Sequence, residues 1–172
     1  QDVTLALLDP LTAGDAELKQ SAIDSLAHIA ASLEHLPGEV VETLLDEVQS
    51  QNPDIRRQAV RALGRAKDAS VVMALINCLD DEDSFVRIEA IRSLGRLDEA
   101  GPGVSRLLAD PDSSVRLAAA KALAKTDAVD VVETLVEFAF AFEGYHGRQA
   151  AQLLAGIDQQ AANVLFIKTL QD

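Results

Sequence analysis

The sequence predicts an all-α fold, a right-handed α-α superhelix of about five stacked helical hairpins, and three observations predict it. One motif returns along the chain with a period near 30 residues. The supply of core residues is Ala, Leu, Val and Ile, with five Phe, one Tyr and no Trp in 172 residues, which suits close helix packing better than a β-sandwich. Cap residues, Pro and Gly recur at the intervals that start and stop short helices. An apolar fraction of 48% beside 25% charged residues is that of a folded chain.

The copies are clearest at 83–95 and 112–124, with a third at 52–64 and weaker ones beginning at Asp15 and Glu143. Their first column, Asp15, Asn52, Asp83, Asp112 and Glu143, holds mainly short acceptors suited to the free N–H groups of a helix's first turn. Pro53 follows at the first helical position, where its missing N–H costs nothing. An Ala column (Ala22, Ala59, Ala90, Ala119, Ala150) and a Leu column four residues on (Leu26, Leu63, Leu94, Leu123, Leu154) mark the buried stripe of a helix of about 12 residues. Upstream of each cap a second stripe runs through Leu7, Leu44, Leu75, Val104 and Leu135, then Leu11, Val48, Leu79, Leu108 and Ala139, which makes a second helix per repeat. Pro37-Gly38 and Gly101-Pro102-Gly103 break the helices between. A single hairpin of this kind cannot bury its apolar face and must stack on its neighbours. The expected organisation is one domain over 1–172, with repeats at about 1–33, 38–67, 69–97, 101–126 and 129–157 and a terminal helix at 160–171. Because residue 1 is Gln, the chain is expected to be part of a longer polypeptide.

The pattern Asp-x-x-Val-Arg-x-x-Ala-x-x-x-Leu-Gly, carried by Asp83, Val86, Arg87, Ala90, Leu94 and Gly95, resembles the HEAT repeat, in particular the short subtype named after phycobilisome lyases. The resemblance runs over nearly the whole chain and is weakest at the ends, where Lys19 and Gly147 replace the Arg of the middle copies. It implies that the Asp-Val-Arg helices line a concave side. It also implies that Arg56, Arg87 and Arg116 form a structural ladder with Asp83, Asp112 and the other turn acids, bonding turn carbonyls and an Asp of an adjacent repeat. It specifies no function, because this scaffold carries many.

Signals of catalysis are few. His28, His35 and His146 lie in different repeats and none is followed by an acid, unlike the His-Glu pairs of the iron-dependent deoxyhypusine hydroxylases that resemble this fold. No phosphate loop, paired-Cys zinc spacing or nucleophile elbow occurs, so no metal, cofactor or catalytic residue is expected. Cys78, the one cysteine, sits in an apolar segment and is expected to be an inert core residue. The longest apolar run, 69–79, is too short to span a bilayer, and no signal peptide opens the chain, so a cytoplasmic location is expected.

Charge is more informative. Residues 1–53 carry a net charge of −9 and 126–172 one of −5, whereas 54–125 carry +1, within a total of −13. Two columns of the second helix read Arg61, Arg92, Lys121 and Arg65, Arg96, Lys125, bounded by Asp24, His28, Gln152 and Gly156, and Arg57 widens the set. As a solvated face these cations offset nearby acids; as a binding surface they seat an acidic or phosphate-bearing segment of another protein. Nucleic acid is not the expected ligand, because the acidic ends repel a polyanion and the columns hold no aromatic residue for stacking. Reversing Arg92 and Arg96 to Glu is expected to leave folding nearly intact yet weaken partner binding about tenfold or more. A second feature, Phe138, Phe140, Phe142 and Tyr145, reads either as core packing against the terminal helix or as an apolar contact patch. The reading is a non-enzymatic interaction scaffold. The alternative, implied by the resemblance, is an accessory subunit like the phycobilin lyases that holds a chromophore through Arg.

Overall fold

Every regular element among the described residues is helical. The computed structural model describes residues 6, 9–10, 15–30, 36–66, 71–124, 129–141 and 144–156. Lys125, Phe142, His35 and the terminal helix expected at 160–171 lie outside them. The chain forms two compact units, Gln1–Glu99 and Ala100–Asp172.

In the first unit the elements are α1 (Ala16–Ala30), α2 (Gly38–Glu47), α3 (Pro53–Leu63), α4 (Val72–Asn77, continued as a 3-10 turn over Cys78–Asp80) and α5 (Ser84–Arg96). Helices α1, α3 and α5 pack in sequence as one layer, with α2 against α3 and α4 against α5 in the other. The Ala and Leu columns form the seam: Ala22, Leu26, Ala59, Leu63, Ala90 and Leu94 are all buried, as are Leu44, Val48, Leu75 and Leu79 from the outer layer. Alanine at the seam lets backbones approach, and the approach is tight where α3 ends. A Cβ placed on Gly64 would lie 2.1 Å from Ser93 Oγ and 2.9 Å from Ser93 Cα. Ser93 is fully buried and donates its hydroxyl to Val60 O at 3.2 Å, so the two helices are bonded as well as packed at this crossing.

The helix starts follow from the cap column. Asp15 accepts from the N–H groups of Glu17 and Leu18, Asn52 from Asp54, Asp83 from Phe85 and Val86, and Asp112 from Ser114 and Val115. A second acceptor precedes the cap by two residues: Ser50 Oγ, Asp81 Oδ1 and Asp110 Oδ1 take the N–H of Asn52, Asp83 and Asp112. Helix α5 closes on Asp98, whose φ of 58° is left-handed, while Glu99 N donates to Leu94 O at 2.9 Å.

The second unit holds α6 (Pro102–Ser105, continued as a 3-10 turn over Arg106–Ala109), α7 (Ser113–Leu123), α8 (Val129–Ala141) and α9 (Tyr145–Gly156). Helix α8 packs on α7 and α9, burying Val131, Val132, Leu135 and Phe138. The upstream helices α4 and α6 are shorter than the uniform helix their apolar stripe predicts. Each tightens into 3-10 geometry before its turn, so that Asp81 N and Asp110 N meet Cys78 O and Leu107 O, carbonyls that an α-helical end would leave unpaired.

Candidate functional site

Arg56, Arg87 and Arg116 occupy equivalent places at the starts of α3, α5 and α7, and each turns its Nη1 back onto the turn it has just left. Arg56 donates to Ser50 O and Gln51 O, Arg87 to Asp81 O and Glu82 O, and Arg116 to Asp110 O and Pro111 O, the shorter bond of each pair being 2.8 or 2.9 Å. Arg56 also reaches the following turn. Its Nε and Nη2 donate to Asp81 Oδ2 and Oδ1, both at 2.8 Å, in a side-on bidentate pair with both side chains about nine-tenths buried. The bond to Asp81 outweighs the cost of burial and holds the Arg56 pKa above its ordinary value. Arg116 additionally lies over the Phe138 ring, 5.3 Å from its centre.

Beside this pair a cleft of about 550 Å³ is lined by Ser50, Gln51, Arg56, Cys78, Asp81 and Glu82 among others. Cys78 is buried, and burial pushes its thiol up to about 11. A shift of that size lowers the thiolate fraction at neutral pH about a hundredfold. Labelling of the native protein with a disulfide reagent at pH 7.5 is therefore expected to be about a hundredfold slower than labelling in denaturant, and equal rates would contradict this burial.

The cation columns meet nearby acids, as one of the two sequence readings has them do. Asp24 occupies in α1 the column position that Arg61 occupies in α3, and because the two helices pack side by side, Arg61 Nη2 bonds to Asp24 Oδ1. Arg92 and Arg96 converge on Glu89, at 3.5 Å to Oε2 and 3.1 Å to Oε1, and Arg96 Nη2 also reaches Ser93 Oγ at 2.8 Å. Arg57 pairs with Asp54 at 2.9 Å. Lys121, in the second unit, donates to Gln149 and sits 6.0 Å from the Tyr145 ring centre. The columns are thus not a row of unengaged cations, although Arg92 and Lys121 remain exposed. The double reversal of Arg92 and Arg96 would set two more carboxylates beside Glu89, which is only 8% exposed, and on this geometry it is expected to cost folding stability as well. Arg65 differs from the rest. It is half-buried, and its Nε is shielded from solvent with no acceptor among the described residues, as Arg61 Nε is without one and Gln58 Oε1 without a donor.

The aromatic feature divides. Phe138 is fully buried, so its place in an exposed patch is corrected; it is a core residue beneath Arg116. Phe140 and Tyr145 are 80% and 63% exposed. Among the described residues no cluster of His, Cys, Asp or Glu has the makings of a metal site, and no helix is long and apolar enough to cross a membrane.

Helical hairpins joined by a capped Asp turn, with an Arg folded onto the turn carbonyls and an Ala-Leu seam between neighbours, define a helical-repeat protein of the solenoid class. Residues 41–105 match the family model described as HEAT repeats and residues 101–125 the one described as HEAT repeat, so this stretch of the chain is built of HEAT-like repeats. No curated protein matches it. Among solved structures, an engineered protein shares 26% identity and a TM-score of 0.63 over 90% of this chain and 79% of its own. The complex of CpcE and CpcF of phycocyanin lyase from Nostoc sp. PCC7120 shares the fold at 22% identity, with a TM-score of 0.73 over 100% of this chain and 71% of the other. A second engineered protein shares it at 22% identity and a TM-score of 0.61, over 94% and 84% of the two chains. HEAT repeats build scaffolds on which other proteins dock.

Proposed function

We propose that the protein is a non-enzymatic scaffold, working in a reducing compartment such as the cytoplasm, that holds an acidic or phosphate-bearing segment of a partner protein on the α3 and α5 faces of its first unit. The observation that carries this is an excess of charge. Arg61, Arg65, Arg92 and Arg96 are set against Asp24 and Glu89, which leaves a cationic face in a chain whose total charge is −13. Salt screens the distant acids over about 8–10 Å, while the local cations act at contact. Titration of the 172-residue chain into a fluorescein-labelled hexaglutamate peptide is expected to give binding that weakens as salt rises. Replacing Arg61 and Arg92 together by Gln is expected to weaken it tenfold or more, about 1.4 kcal/mol. Equal binding by variant and parent, or no binding by the parent, would refute the proposal.

A second reading draws on the whole-length likeness to the phycocyanin lyase complex: an accessory subunit that holds a bilin by its propionates through the same arginines. Mixing with phycocyanobilin would then give a shifted, saturable absorption band. A plain protein scaffold gives none.

A further inference from the structure

We propose that Arg65 is the residue that recognises the partner's carboxylate, and that it does so side-on, through Nε and Nη, as Arg56 holds Asp81 within the protein itself. This rests on the reading of the face as a seat for an acidic segment.

Three observations converge on Arg65. First, among the described residues it is the cation of this face paired with no carboxylate: Arg61 has Asp24, while Arg92 and Arg96 share Glu89. Second, its Nε is buried without an acceptor, and a buried donor left unpaired is unfavourable until something accepts from it. Arg61 Nε is in the same condition, but Gln58 Oε1, itself buried and unpaired, stands one turn away on α3 and has the right polarity for it. Gln58 lies two turns from Arg65, too far along the helix to serve both. Third, Arg65 stands just beyond Gly64, where the missing side chain and the small Ser93 let α3 and α5 close together, which fixes the backbone from which Arg65 projects.

Recognition by Arg65 requires a swing of its side chain that brings the Nε edge to the surface. Such a swing breaks no side-chain hydrogen bond to the described residues, so the gain on meeting a carboxylate is not offset by a lost internal bond of that kind. A single guanidinium edge matches the two oxygens of one carboxylate, the geometry seen at 2.8 Å and 2.8 Å between Arg56 and Asp81. Arg61 and Arg96, already held by Asp24 and Glu89, then supply local positive potential without having to leave their partners.

The test is fluorescence anisotropy with the labelled hexaglutamate peptide on the full chain. Arg65→Gln is expected to weaken binding tenfold or more, and Arg65→Lys, which keeps the charge but has no Nε–H edge, at least threefold. Arg148→Gln, an equal change of charge at an exposed site in the second unit, is expected to change binding less than twofold. Circular dichroism melts establish that each variant is folded, and if Arg65→Gln is not, Arg65→Lys decides. Parent-like binding by Arg65→Lys would overturn the side-on proposal, since a point charge would then suffice. Parent-like binding by Arg65→Gln, with the Arg61 and Arg92 double variant still impaired, would overturn it while leaving the cationic face in place. No binding by the parent would overturn both.

Discussion

Arg56→Ala is expected to destabilise the protein by about 3–5 kcal/mol, the cost of breaking one side of a buried ion pair. The physical reason is what Asp81 is left with. Its two oxygens take both Arg56 nitrogens and Oδ1 also takes the N–H of Asp83, so removal of the guanidinium strands a carboxylate that is about nine-tenths buried. The carbonyls of Ser50 and Gln51 lose their donor in the same step. Because Asp83 is the cap of α5, the damage extends from one hairpin to the start of the next. Urea unfolding followed by circular dichroism measures the loss. Arg56→Ala with Asp81→Ala should be less harmful than the two single losses added together, since the pair is then removed whole. A loss for Arg56→Ala below 1 kcal/mol would mean that the pair does not hold the two turns together.

Gly64→Ala is expected to cost about 1–3 kcal/mol, although alanine is ordinarily the better helix former. The backbone at Gly64 is right-handed, with φ of −64°, so conformational freedom is not what requires glycine there. Space is. The added Cβ would meet Ser93 Oγ at 2.1 Å and its Cα at 2.9 Å. A rotation of the hydroxyl relieves only the first contact, and only by giving up its bond to Val60 O. Ser93→Gly in the same molecule should therefore restore part of the loss, the remainder coming from backbone against backbone. A fully stable Gly64→Ala protein would show that α3 and α5 stand further apart at this crossing.

The repeat period, the cap column and the Ala and Leu seam are local properties of the chain, and they were legible without coordinates. A cap needs only an acceptor next to its own free N–H groups, as Asp83 shows with Phe85 and Val86. A seam needs only apolar residues at helical spacing. The same holds for the Arg56, Arg87 and Arg116 column as a recurring feature of the pattern. What its guanidinium groups touch is another matter. That Arg56 grips Asp81, 25 residues on, depends on how far one hairpin lies from the next. The shortness of α4 and α6 was equally hidden, because an apolar stripe runs on unchanged where a helix tightens into 3-10 geometry.

The charge columns show the boundary between the two kinds of information most plainly. The sequence by itself determined that Arg61, Arg65, Arg92 and Arg96 stand in two matching columns, since helical spacing and the repeat period place them there. Helical spacing also puts Glu89 one turn before Arg92 on α5, where it takes both Arg92 and Arg96. Only the tertiary structure put Asp24 of α1 beside Arg61 of α3, and left Arg65 Nε without an acceptor among the described residues. Pairing across helices is a matter of a few ångströms between side chains on neighbouring backbones, since N–H···O bonds mostly lie at about 2.7–3.2 Å. The order of residues in one helix carries no measure of that distance; the packing of backbones such as Gly64 against Ser93 sets it.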